Sequence, residues 1–108
     1  MSENDTYMVA GVVENRISGG VRMDRRNAFH VGMTFEKLTS DGNALLKYPA
    51  KIIDSEWKGL SGAPVFNYDC KVVGMIIKIY ENSDEILIVP INRIIRFIRY
   101  IIDSDAGR

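Results

Sequence analysis

The feature that most constrains the fold of this chain is a series of short strand-like runs that ends at Pro90. The runs are rich in β-branched and aromatic residues and are bounded by glycine, proline, asparagine or aspartate, which is typical of strands joined by turns. The strongest turn signal, Asp41-Gly42, lies between two runs and predicts a hairpin. We therefore predict six β-strands, at residues 7–15, 27–38, 44–53, 63–67, 71–80 and 85–90.

The hydrophobic period changes after the sixth run. From Ile91 to Ile102, isoleucines recur at spacings of three and four, and arginines follow another face. This pattern predicts an amphipathic helix over residues 91–102 that docks on the strands. Residues 1–6 are interpreted as a polar N-terminal lead, and residues 103–108 as a flexible tail.

The second run alternates between apolar and less apolar positions. Its period of two predicts that the apolar side chains share one face and that His30 lies on the other, less apolar face. The residues expected on the apolar face are Phe29, Val31, Met33 and Phe35.

The length and charge of the chain limit its possible functions. With 108 residues it has room for one small domain, and its 14 basic and 14 acidic residues balance. Zero net charge favours neither nucleic acid nor a membrane as a partner, so we interpret Arg22, Arg25 and Arg26 as part of a solvated connection. The single cysteine, Cys70, forms no internal disulfide, and the N-terminus lacks a signal peptide pattern. We expect a cytoplasmic protein with no cofactor and no metal.

A serine lies between two glycines at residues 59–66, Gly-Leu-Ser-Gly-Ala-Pro-Val-Phe. Small neighbours allow a sharp turn that exposes the Ser61 hydroxyl and lets the N–H groups of Gly59 and Ser61 converge. Two converging donors beside a nucleophile form an oxyanion hole. An ordinary Gly-Ser turn before a strand is the alternative interpretation. The nucleophile elbow Gly-x-Ser-x-Gly is disfavoured, because Ala63 fills its fifth position and Pro64 leads into a strand.

This loop resembles the nucleophile loop of the trypsin-like, chymotrypsin-fold serine peptidases, which precedes the fourth strand of their second barrel. The run at 72–76, Val-Val-Gly-Met-Ile, resembles the fifth strand of that barrel, and the run at 88–92, Ile-Val-Pro-Ile-Asn, is similar to the strand-to-helix junction of HtrA-like bacterial members. The resemblance covers about residues 7–102. It implies an all-β fold, a single six-stranded antiparallel β-barrel of the chymotrypsin type with a C-terminal amphipathic helix.

The resemblance also implies roles for particular residues. Ser61 would be the nucleophile, and the amide of Gly59 would contribute to the oxyanion hole with that of Ser61. Ser55, six residues before the serine, would lie at the base of the specificity pocket, without the acid that selects lysine or arginine. The pocket wall and the strand that pairs with substrate would be Ile77, Lys78 and Ile79. Leu60 departs from the family, which often has Asp or Asn there.

A serine needs a base, and in this family the histidine and aspartate come from a first barrel upstream. Only six residues precede the first predicted strand, so we expect these partners to be missing from this chain. His30 is the only histidine and therefore the alternative base, but it lies on a strand of the same barrel, and we expect it not to serve.

Three functions remain. The first is the C-terminal half of a trypsin-like serine endopeptidase that acts on polypeptides, completed by a missing first barrel or a partner chain. The second is a non-catalytic module of the same fold that binds peptides or proteins. The third is an unrelated small barrel for nucleic acid or another ligand, favoured if arginines cluster beside exposed aromatic residues. A homo-oligomer formed through an exposed barrel face is a further expectation.

Overall fold

The computed structural model describes residues 5–16 and 23–106 of the chain. The described chain contains six strands and two helices. Every predicted strand is present, and all but the sixth have shifted boundaries. The elements are β1 Thr6–Arg16, β2 Met23–Leu38, β3 Ala44–Lys47, α1 Asp54–Trp57, β4 Pro64–Phe66, β5 Val72–Ile79, β6 Glu85–Pro90 and α2 Ile91–Ala106.

The strands form one closed antiparallel barrel in the order β1-β2-β3-β6-β5-β4. The barrel closes where β1 pairs with β4, through Met8 with Phe66 and Val9 with Val65. α2 follows β6 directly and contacts β5 and β6. The predicted six-stranded antiparallel barrel with a C-terminal helix is therefore confirmed.

The barrel interior is filled by apolar side chains from all six strands and from the segment between β3 and β4. Trp57 and Leu60 belong to that segment and are almost fully buried, so the loop that carries Ser61 is anchored in the core. The buried apolar residues are Tyr7, Val9, Val13, Met33, Ala44, Leu46, Ile52, Trp57, Leu60, Val65, Ile76, Ile86 and Ile88.

The predicted alternation of β2 is wrong over its first half, and a bulge is the cause. Tyr7 pairs with Met33 but Val9 pairs with His30, so two residues of β2 lie opposite one of β1. Within this bulge Gly32 has a φ of +82°, a left-handed conformation that favours glycine. The extra residue reverses which side chains face inward.

The bulge decides the position of the only histidine. His30 was predicted on the less apolar face, but its ring is buried, with 9% exposed, whereas Phe29 is 64% and Val31 48% exposed. Beyond the bulge the prediction holds for Met33, which is fully buried, and for Phe35, which packs against the core.

We expect Gly32→Ala to destabilise the protein by about 1–3 kcal/mol, because a residue with a Cβ is strained at this φ. A Cβ at Gly32 would also lie 3.3 Å from Cγ of Pro49. The free energy of unfolding in urea measures the effect. Gly32→Asn should cost less than Gly32→Ala, since asparagine tolerates left-handed backbone. Equal stability of Gly32→Ala and the parent chain would contradict a bulge that depends on glycine.

Two strand boundaries differ from the prediction by four residues or more. Arg25 and Arg26 lie within β2, opposite Glu14 and Val13 of β1, and not in a connection. Hairpin pairing with β1 overrides their polar composition here. Arg22 and the predicted turn at residues 17–20 lie outside the described residues.

β3 ends at Lys47 instead of residue 53. Pro49 lacks the N–H that a strand ladder needs. The segment after β3 bonds instead to the β5–β6 turn, where the amides of Tyr48 and Ile52 donate to the carbonyls of Asp84 and Ser83, both over 2.7 Å.

The C-terminal helix differs from the prediction in length and in packing. α2 continues to Ala106, so residues 103–106 are helical where a flexible tail was predicted. Docking on the barrel is limited to the start of the helix, where Ile91 and Ile94 are half-buried. Beyond this turn the isoleucine face is exposed.

Candidate functional site

The loop that carries Ser61 is a tight turn built on two glycines. Gly59 and Gly62 have φ values of +89° and +91°, which few residues other than glycine adopt. The Leu60 amide donates to the Trp57 carbonyl over 3.1 Å, and the Ala63 amide donates to the Leu60 carbonyl over 3.0 Å. Ser61 lies between these bonds and is exposed. The hydroxyl is accessible, as the residue pattern predicted.

The loop is fixed from two sides. Below it, Leu60 is fully buried against Gly11, where an added Cβ would lie 2.7 Å from Leu60 Cδ2. Beside it, the Gly62 amide donates to the Ile76 carbonyl over 2.7 Å, and the Ile76 amide donates to the Ala63 carbonyl over 3.0 Å. These bonds attach the turn to β5 and hold Ser61 at the barrel surface.

The amides of Gly59 and Ser61 are not among the described backbone-to-backbone donors of this loop, in contrast to those of Leu60, Gly62 and Ala63. The Ser61 hydroxyl makes one long hydrogen bond, of 3.5 Å, to the carbonyl of Ile77. The convergence of the Gly59 and Ser61 amides on one anion stays a prediction.

A cleft of about 410 Å³ opens beside Ser61. It contains Ser61, Gly59 and three of the four residues that were predicted to bind substrate, Ile77, Lys78 and Ile79. Trp57, Lys58 and Glu81 also line the cleft and were not predicted as site residues. The full lining is Trp57, Lys58, Gly59, Ser61, Ile77, Lys78, Ile79 and Glu81.

One wall of the cleft is a partly unpaired stretch of β5. The register between β4 and β5 ends at Pro64 with Met75, and the loop bonds extend it only to Ile76. On its other side β5 continues to pair with β6, through Lys78 with Leu87 and Ile79 with Ile86. Residues 77–79 therefore have no described strand beside them on the Ser61 side. Such an edge accepts an added strand.

The cleft carries charged side chains of both signs and has no strong net charge. Lys58, Lys78 and Glu81 line it, and the Lys78 ammonium lies 5.1 Å from the centre of the Tyr80 ring. Ser55, predicted at the base of the pocket, lies in α1, where it is exposed and not part of the lining.

The His30 side chain is held by Trp57 and by the Glu56 carbonyl. The His30 ring stacks on Trp57, with the ring centres 3.9 Å apart and the planes 7° from parallel. His30 Nε2 lies 2.8 Å from the Glu56 carbonyl. A carbonyl oxygen only accepts, so Nε2 carries the hydrogen and donates it. This arrangement favours a structural role for His30.

Trp57 connects the histidine to the cleft. Its ring stacks on His30, meets Tyr48 edge-on at 5.0 Å, and also lines the cleft. Its Nε1 is buried without a hydrogen-bond partner among the described residues. A buried orphan donor costs about 1–3 kcal/mol, so the packing of this indole has to offset that cost.

A second surface hollow combines arginines with exposed aromatic rings. It lies on α2 and is lined by Arg93, Arg96, Phe97 and Tyr100. Arg93 is already hydrogen-bonded to the Asn43 side chain. The last turn of the helix adds two carboxylates, Asp103 and Asp105, which oppose binding of a polyanion.

Within the described parts of the chain, no group of three metal-ligating side chains comes together. Neither described helix is long and apolar enough to cross a membrane. The exposed Cys70 is a free thiol.

The fold and the site together define a small closed antiparallel barrel with a serine at the mouth of an open-edged cleft. No family model, no curated protein and no solved structure matches the chain.

Proposed function

We propose that this chain binds an extended polypeptide along β5 and is the C-terminal half of a trypsin-like serine endopeptidase, with Ser61 as its nucleophile. The observation that carries the proposal is the cleft that holds Ser61 beside residues 77–79. An extended peptide paired with this edge would run past the serine hydroxyl.

The chemistry would be acyl transfer. The Ser61 oxygen would attack the peptide carbonyl, and the amides of Gly59 and Ser61 would donate to the oxygen that becomes negative. The peptide C–N bond would then break, the amine would leave with the proton taken from Ser61, and water would hydrolyse the acyl-serine. The hydroxyl proton needs a base, and His30 is held by Trp57 and Glu56. The histidine and aspartate would therefore come from a first barrel or a partner chain.

An exposed apolar patch supports such a partner. Val12, Phe29 and Val31, on β1 and β2, are 46%, 64% and 48% exposed. Patches of this kind mark surfaces that pack against another protein or domain. The same patch would serve a homo-oligomer formed through the barrel face.

The second candidate is a non-catalytic module that binds peptides in the same cleft. The contacts of His30 with Trp57 and Glu56 favour it, because the sequence contains no other histidine that could serve Ser61. The two candidates share the cleft and differ in whether the Ser61 oxygen reacts.

Peptide binding is tested by NMR on the isolated chain. A blocked hexapeptide of alternating valine and threonine should shift the amide signals of Gly59, Ser61 and residues 77–79, because pairing alters their hydrogen bonds. The same peptide with N-methylated amides keeps its side chains but loses its donors, and should not bind. Shifts confined to the opposite side of the barrel would contradict the proposed cleft.

The nucleophile is tested separately with a peptide boronate, whose boron becomes tetrahedral when a serine oxygen adds to it. With imidazole added in place of the missing histidine, we expect the adduct in the parent chain and in Ser40→Ala, which changes an exposed serine elsewhere, but not in Ser61→Ala. Peptide affinity should change less than about twofold in Ser61→Ala, since strand pairing uses the main chain. Peptide binding without any boronate adduct would refute the nucleophile and leave the binding module.

A further inference from the structure

The open edge of β5 presents one charged side chain to the cleft. Lys78 is exposed, whereas Ile79 packs against the core, so these two side chains project from opposite faces of the strand. Both residues, and Ile77 before them, belong to the stretch with no described strand on the Ser61 side. A strand added at this edge therefore meets the Lys78 side chain on the outer face of the barrel.

The Lys78 side chain lies over a neighbouring aromatic ring. Its ammonium is 5.1 Å from the centre of the Tyr80 ring, which is within the distance of a cation–π contact. Tyr80 follows Lys78 by two residues, so both side chains are on the same face of the chain. The contact holds the lysine beside the open edge, and the side chain loses less conformational freedom when it pairs with a ligand.

The other charged side chains of the cleft are one lysine and one glutamate. Lys58 comes from the segment before Ser61 and adds a second positive charge. Glu81 follows the end of β5, so a strand paired with residues 77–79 does not place a residue opposite it there. Two ammonium groups and one carboxylate leave the cleft with a small net positive charge.

Cross-strand pairing turns this charge into a preference between ligands. Residues directly opposite each other on neighbouring strands have Cβ atoms about 4.5–5.5 Å apart on the same face, and opposite charges there stabilise the pair whereas like charges destabilise it. A carboxylate opposite Lys78 would reach its ammonium, and a second ammonium would be repelled. The pair lies at the surface, where water and salt screen it, so the discrimination is a few-fold.

We propose that the cleft prefers an extended polypeptide with an acidic side chain opposite Lys78 over one with a neutral or basic side chain at that position. This preference rests on the proposed binding of a polypeptide along β5. Lys78 is the specificity-determining residue, and Lys58 strengthens the preference from the Ser61 side of the cleft. The preferred ligands are acidic peptide segments.

Three blocked hexapeptides test the preference, in which valine alternates with glutamate, glutamine or lysine. Alternation keeps the variable side chains on one face, even after a slip of two residues. NMR titration of the amide signals of residues 77–79 at low salt gives the three affinities. We expect the glutamate peptide to bind about threefold more tightly than the glutamine peptide, and the lysine peptide about threefold more weakly. Salt at about 0.5 M should reduce both differences.

Two charge reversals on the same part of the chain locate the source of the preference. Lys78→Glu should reverse the order of the glutamate and lysine peptides, and its fold should survive because Lys78 is exposed, which circular dichroism checks. Lys71→Glu is the matched control, since Lys71 is also exposed and lies just before β5, outside the cleft lining. It makes the same change in net charge and should keep the parent order. Lys58→Gln should reduce the preference for glutamate without reversing it.

Binding of the glutamine peptide tests the cleft itself, and the order of the three affinities tests the preference. Equal affinities would overturn the preference and leave the proposed peptide binding intact. The parent order in Lys78→Glu, or a reversal in Lys71→Glu, would also overturn it, because the discrimination would then not come from the residue opposite the peptide. If none of the three peptides binds, the cleft and the preference are both refuted.

Discussion

Trp57→Ala is expected to lower the free energy of unfolding by about 3–5 kcal/mol, as removal of a large buried aromatic side chain does. Trp57 is 1% exposed and packs against the rings of His30 and Tyr48. Its loss leaves a cavity under the cleft and an unstacked histidine. Urea unfolding followed by circular dichroism measures the change, since Trp57 is the only tryptophan and fluorescence is lost with it.

Two variants make the result specific. Trp57→Phe keeps most of the packing and removes the orphan Nε1 donor, so it should cost clearly less than Trp57→Ala. Tyr68→Ala removes an aromatic ring that is 71% exposed and should change stability by no more than about 0.5 kcal/mol. A cost below about 1 kcal/mol for Trp57→Ala would contradict a tryptophan that supports the core.

The strands were predictable because their signals are local. β-branched runs between turn residues gave the number and order of the strands, and β6 has the predicted bounds, Glu85–Pro90. The boundaries shifted where pairing with another strand decides them. β2 begins four residues earlier than predicted because β1 pairs with it as far as Arg16 with Met23.

The burial of His30 was not predictable from periodicity. Alternation assigns every second residue to the same face of a strand. One additional residue at a bulge therefore reverses the face of every side chain that precedes it. Gly32 permits that bulge, but glycine in a strand equally marks a close approach, as Gly11 does beneath Leu60. Only the pairing with β1 shows which of the two applies.

The candidate site was predictable in part. The glycines around Ser61 signalled a tight exposed turn, which the positive φ values of Gly59 and Gly62 explain. Trp57, Lys58 and Glu81 were missed because cleft walls are made by loops whose paths depend on tertiary contacts. Ser55 was expected at the pocket base, but α1 turns that segment into a short helix with Ser55 exposed.

The helix shows the same division between local and tertiary information. The amphipathic pattern correctly predicted a helix, and its isoleucines lie on one face. Such a pattern predicts an apolar face on the helix but does not identify the surface that covers it. The barrel covers only the first turn, and the isoleucines of the remaining face are exposed.

The core and the site meet at Leu60, and Leu60→Ala is expected to lower the free energy of unfolding by about 2–5 kcal/mol. Its fully buried side chain holds the Ser61 loop against Gly11. The variant should therefore also shift the amide signals of Ser61 and Gly62 and bind the valine–threonine peptide more weakly while still folded.

Leu38→Ala is the control for the Leu60 variant, because Leu38 is 63% exposed and lies at the end of β2. It should alter neither stability nor peptide binding appreciably. If Leu60→Ala destabilises the barrel but leaves the loop signals and peptide affinity unchanged, the two glycines and the bonds to Ile76 are sufficient to position Ser61. The shape of the cleft would then depend on the turn alone, and Leu60 would serve only the core.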